Sequence, residues 1–294
     1  MVTELKNAIC VLVDAESETG EPLKERFGVR GFPALLFLNP DGSPRDKISG
    51  YMPPEPFLAE VQRIFRNEGT IPALKKEVVA KPEDLGLRWA YAQKLKNFGD
   101  TEGYEAQVAR ILKRDPEGKS LAVHTIRFDE AMDEINKSRG RNLEAMRALL
   151  EKETYPELLF KGWSVIFNVN AGNSTREKDV EKQAAMRKEA VSAGREAWSH
   201  APDDRARIRF GNSLAWFIWE QRETLTDEDK AFALLVASKA SGAAPDNASI
   251  LDTYACCLFM NGKSDEALEA VMRCMEIDPD NPDWQTRLEE FSRG

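Results

Sequence analysis

The run Val29-Arg30-Gly31-Phe32-Pro33-Ala34-Leu35-Leu36-Phe37-Leu38-Asn39-Pro40-Asp41-Gly42 leaves this chain few choices. Pro33 has a fixed φ and no N–H, so it closes a tight loop and does not join a central ladder. Five apolar residues follow, bounded by turn formers. That predicts a strand covered on both faces at residues 34–38. Asn39-Pro40-Asp41-Gly42 predicts a hairpin turn, and residues 45–49 return as an antiparallel edge strand. Upstream, Ile9-Cys10-Val11-Leu12-Val13 predicts another buried strand, with Cys10 inert inside it. Residues 2–7 read as the tail of a helix. Residues 21–27 form a short helix, with Pro22 in its first turn and Gly28 at its end. Residues 54–65 place Phe57, Leu58, Val61, Ile64 and Phe65 on one helical stripe.

After Gly69-Thr70-Ile71-Pro72 the strand-like runs stop. Leu, Ala, Glu, Arg and Lys recur at helical spacing, punctuated by Asp115-Pro116, Ala201-Pro202, Ala244-Pro245 and Asp278-Pro279. Pro245 and Pro279 are 34 residues apart, a period that means stacked helical hairpins. Ala255, Ala267 and Cys274 take its small positions, while Tyr254, Leu258 and Val271 take larger packing positions. Ala233 and Ala240, then Ala190 and Ala197, repeat the pattern. Ala92, Leu95, Val108 and Ile111 follow it more loosely, with Tyr104 where alanine is usual. Three helices of irregular length are expected over residues 119–170. Trp163, Phe167, Trp216, Phe217, Trp219, Phe259 and Trp284 read as core.

Several chemistries are excluded. The net charge of -9 argues against a nucleic-acid partner, which needs a cationic face. No apolar run is long enough to span a bilayer. The four cysteines, Cys10, Cys256, Cys257 and Cys274, contain no Cys-x-x-Cys. His124 and His200 are far apart, with no cysteine knuckle beside either, so no metal site and no cofactor are expected. Gly118-Lys119-Ser120 and Gly262-Lys263-Ser264 lack the earlier glycine of a phosphate loop, where Lys113 and Cys257 stand instead. Ser264 is expected to cap a helix.

The order of strand, helix, strand, strand, helix, with Gly28-Val29-Arg30-Gly31-Phe32-Pro33, Asp41-Gly42 and Gly50-Tyr51, resembles the second half of a thioredoxin domain. The 34-residue pattern resembles tetratricopeptide repeats. Together they resemble bacterial proteins that join the two modules. The expected fold is therefore α/β plus all-α: a partial thioredoxin-like domain at residues 1–68 and a tetratricopeptide-like solenoid at residues 69–294. The resemblance implies a cis bond at Pro33 and a substrate-binding segment at Gly31, Phe32 and Pro33, where Phe32 pairs with an extended client. Ala34 replaces the threonine often found in the family. The family's dithiol falls upstream of Met1, so no catalytic residue is assigned. The strand that carries it would lie between residues 9–13 and 34–38. Without it these strands pair directly, or another segment or chain fills the slot, or the module is poorly ordered. Met1 also reads as an internal methionine of a longer protein.

Two functions from different classes follow. One is a non-catalytic scaffold for protein partners or unfolded, disulfide-bearing clients. The other is a thiol–disulfide oxidoreductase whose dithiol lies in a preceding segment. A redox sensor at Cys10 is a distant third. As written the chain reads as cytoplasmic, or as periplasmic or exported if a signal peptide lies upstream.

Overall fold

Hairpin chemistry builds the one sheet among residues 8–293, the residues described by this computed structural model. Asn39 N–H donates to the Ser43 carbonyl at 2.9 Å, and Gly42 N–H to the Asn39 carbonyl at 2.8 Å. Gly42 adopts φ +78°, which glycine reaches without a Cβ penalty. The turn joins β1 (Ala34–Leu38) to β2 (Pro44–Ser49) in antiparallel register, Leu35 opposite Ile48 and Leu36 opposite Lys47, with an irregularity at Phe37/Leu38. α1 (Gly20–Arg26) precedes the sheet and α2 (Pro54–Phe65) follows it. Val61 and Ile64 of α2 form a small core with Ile48, against which Leu35, Phe37, Met52 and Phe57 pack.

The strand expected at residues 9–13 does not form, and β1 and this segment do not pair with each other. Ile9 is 95% exposed, Val11 76% and Leu12 100%. Cys10 is exposed rather than buried. An apolar run becomes a strand only when neighbours take up its ladder and cover its faces. Among the described residues β1 bonds to β2 alone, so nothing offers residues 9–13 a ladder. The helix tail expected at residues 2–7 lies outside the described residues.

The chain forms two compact units, one running to Ile126 and the other starting at Arg127. In the first, α3 (Ile71–Ala80) and α4 (Leu85–Asn97) bury Leu74, Val78, Tyr91 and Leu95 together. α5 (Thr101–Arg114) contributes Ile111, which packs with Ala122, Val123 and Ile126 at the start of α6 (Leu121–Lys137). The sheet is tied directly to α4. The Asp46 carboxylate accepts from Arg63 of α2 at 2.8 Å and from Lys94 of α4 at 2.5 Å. Gly28, at φ +58°, lies so close to Gly99 that a Cβ would meet the Gly99 nitrogen at 2.9 Å.

The second unit stacks antiparallel helix pairs. α7 (Glu144–Leu150) leads into α8 (Pro156–Ser174) and α9 (Val180–Ser199). α10 (Asp204–Glu220) pairs with α11 (Asp227–Ala243), and α12 (Ala248–Met260) with α13 (Ser264–Ile277); α14 (Asp283–Arg293) packs on α13. Helix pairs of this kind bury their apolar faces by stacking on neighbours. The small residues of the repeat pattern, Ala190, Ala197, Ala233, Ala240, Ala255, Ala267 and Cys274, are all fully buried. Four of the starts are capped by side chains, at Asp179, Asp203, Thr226 and Asn247; Asp203 accepts from Ala206 N–H, and Thr226 and Asp229 form a capping box. At α13 the expected Ser264 cap is displaced by one residue. Lys263 holds the cap position without a capping bond, and its ammonium pairs with Glu266 at 2.8 Å. The described residues thus form a small α/β module followed by stacked helical hairpins.

Candidate functional site

β2 fixes the segment expected to meet a client. Gly50 N–H, from a residue at φ +82°, donates to the Pro33 carbonyl at 2.8 Å and closes that end of the sheet. The Phe32–Pro33 peptide bond is cis. Gly31, Phe32 and Pro33 are all exposed, Phe32 at 63%. Among the described residues no backbone hydrogen bond engages Phe32, and β1 carries a strand on one edge only. Leu38 and Tyr51, at the far end of β1 and just after β2, are also exposed. An unpaired edge with apolar side chains is a template for another extended chain.

The loop that leads into Gly31 is held by a residue the sequence reading passed over. Lys47 Nζ donates to the carbonyls of Phe27 at 3.2 Å, Gly28 at 3.0 Å, and Asn97. Phe27 caps the end of α1, Gly28 follows it and Asn97 is the last residue of α4, so the cation meets the C-terminal ends of two helices. Burial pushes the Lys47 pKa down, and the charge of Arg30 adds to the shift. Asp46 was passed over as well. The available signal was its phase: Asp46 and Ile48 alternate on one face of β2 and are both buried. A carboxylate on a covered face needs cations, and α2 and α4 supply them.

The thiols divide sharply. Cys256 and Cys257 in α12 and Cys274 in α13 are buried free thiols. Burial pushes Cys257 and Cys274 up to about 12, helped by the negative charge of Asp252, and pushes Cys256 up further. Thiols held that high form almost no thiolate at neutral pH and are poor nucleophiles. Cys10 is the one exposed cysteine. No cluster among the described residues could hold a metal ion. At the first of the two phosphate-loop look-alikes, the Asp115 carboxylate accepts from the backbone amides of Lys119 at 3.1 Å and Ser120 at 2.7 Å. A protein carboxylate therefore occupies the amides an anion would need. No helix among the described residues is long and apolar enough to cross a membrane.

No curated protein matches the chain. Among solved structures, the crystal structure of the TPR domain of P58(IPK) is similar over 76% of this chain and 82% of that one, at 14% identity and a TM-score of 0.30. Residues 8–65 match the family model of the thioredoxin-like domain.

Proposed function

We propose that this is a non-catalytic protein-binding protein, with a thioredoxin-like module at residues 1–68 that takes an extended client and a helical-hairpin array at residues 69–294 that supplies a second interaction surface. The client lies along Gly31, Phe32 and Pro33 and adds as a strand to the outer edge of β1. The observation that carries this reading is the pairing of β1 on one edge only among the described residues, with Phe32 exposed at its entrance. Backbone bonds along such an edge supply affinity, and exposed Phe32 and Leu38 supply apolar contact. The three buried thiols lie outside this module and are chemically quiet, which favours binding over exchange.

The test uses insulin in two forms. Fluorescently labelled insulin B chain, reduced and alkylated, should bind the full chain in an anisotropy titration. Phe32→Asp should weaken it about tenfold, the size of one lost apolar anchor plus a repelling charge. Native insulin with dithiothreitol should precipitate no faster with the protein than without it. Reduction that disappears in a Cys10→Ser variant, or binding indifferent to Phe32→Asp, overturns the reading.

A further inference from the structure

β1 is built of five apolar residues, yet Ala34 to Phe37 are only half-buried and Leu38 is exposed. A two-stranded sheet is marginal on its own and gains stability from a third strand. The same unit carries a piece that matches. Residues 9–13, Ile-Cys-Val-Leu-Val, are as long as β1, rich in β-branched residues and exposed, with Leu12 wholly in solvent. Such a run suits a strand and lacks only a ladder to join. Among the described residues no backbone hydrogen bond engages it, and it stands apart from β1 of its own chain.

Charge gives the pairing a direction. The run is followed by Asp14, Glu16 and Glu18, all exposed. Before the start of β1, Arg30 is exposed, and neither a hydrogen bond nor an ion pair engages it among the described residues. Beyond the other end of β1 the Asp41 carboxylate accepts from the Ser43 backbone at 3.0 Å and hydroxyl at 2.6 Å. A strand added antiparallel to β1 brings its acidic end to Arg30. A parallel one brings that end to Asp41, where like charges meet. Complementary charge of this kind selects orientation more than it adds affinity. The affinity comes from backbone bonds and apolar contact, against the mutual repulsion of two chains of charge -9.

We propose that the outer edge of β1 takes residues 9–13 of a second copy of this chain, antiparallel, with the acidic segment that follows them beside Arg30. Given and taken reciprocally, the two runs close a two-fold dimer rather than a growing fibre. The inference names an occupant for the β1 edge and rests on that edge accepting a strand. The test is paramagnetic broadening between full-length copies. One copy, without isotope label, carries a nitroxide at residue 8 through Ala8→Cys on a Cys10→Ser background. Both positions are exposed, and the three buried thiols do not react. It is mixed with isotope-labelled Cys10→Ser protein. Antiparallel addition puts the nitroxide near the Phe37 and Leu38 amides, which should broaden while Gly31 and Phe32 keep their intensity. Sedimentation should show a dimer, and Arg30→Glu, at an exposed position, should weaken it about fivefold. Broadening at Gly31 and Phe32 instead, no broadening in β1, a monomer at NMR concentrations, or a dimer indifferent to Arg30→Glu overturns the proposal. So does broadening of β1 only in a chain that carries its own nitroxide, which would mean the run folds back on its own edge. B-chain binding by a strictly monomeric protein sinks only this proposal. A dimer with β1 broadened as expected, but no B-chain binding, sinks only the client reading.

Discussion

Asp46 is 1% exposed and carries two cations from two helices. Such a carboxylate is costly to bury and more costly to leave half-paired. Asp46→Asn preserves the shape and removes the charge, so Arg63 and Lys94 face each other across a neutral amide. The expected loss is on the order of 3 kcal/mol, read as a lower urea midpoint at unchanged slope. An unchanged midpoint would show that water replaces the carboxylate at no cost. Cysteine chemistry gives a second expectation at this scale. In native protein at pH 8 only Cys10 should react with a thiol reagent, and all four cysteines should react in denaturant. Asp115 gives a third. Its bonds from Ser120, and then from Lys119 and Gly118, hold the carboxyl at about 2, below the ordinary carboxylate range. The sign follows from a depressed folded pKa: the contribution is present above the unfolded value and lost as pH falls through the folded one. The Lys119 and Ser120 amide resonances should titrate together near pH 2, and Asp115→Asn should abolish that titration.

Helix packing sets the sign of a glycine substitution. At Gly211 in α10 a Cβ would meet Val236 Cγ1 of α11 at 2.6 Å and Trp198 Nε1 of α9 at 3.2 Å. Valine is stiff at χ1, so relief needs a backbone shift. Gly211→Ala should cost about 1–3 kcal/mol. At Gly172 in α8 a Cβ meets nothing within 4 Å. Gly172→Ala there should stabilise by about 0.5–1 kcal/mol through helix propensity and a less free unfolded chain. Thermal unfolding of the two variants should move in opposite directions. Helices like these are legible in sequence because their information is local: stripes at helical spacing, alanines where axes approach, and Asp, Asn or Thr before several starts, as at Asp84, Asp203, Thr226 and Asn247. The β1–turn–β2 unit is legible for the same reason, since Asn39 to Gly42 dictate the reversal. Residues 9–13 are not legible, because Ile-Cys-Val-Leu-Val reads identically whether or not a neighbour offers a ladder. The candidate site divides in the same way. Gly31, Phe32 and Pro33 are marked by the resemblance to a thioredoxin-like domain, which their local sequence carries. Lys47 gains its role from carbonyls 19, 20 and 50 positions away.

At the scale of the whole molecule, an exposed apolar run and an open sheet edge coexist with a net charge of -9 and a pI near 5.1. Edge strands and short apolar segments of low charge drive association when nothing guards them. Here the guard is the molecule's like charge, and that repulsion reaches only about 8–10 Å at physiological salt. Association through residues 9–13 and β1 should therefore grow with salt and as pH falls toward the pI. Apolar contact is short-ranged and salt does not screen it. A general surface attraction would share the pH trend, so the decisive comparison is a variant. Leu12 is fully exposed, so Leu12→Lys does not disturb a core; it places a charge in the run while bringing the net charge closer to zero. If overall charge alone governed association, this variant would associate more than the parent. If the apolar run governs it, the variant should associate less, despite its smaller net charge. Light scattering of both proteins across pH and salt separates the outcomes, and greater association of Leu12→Lys would show that residues 9–13 are not the contact.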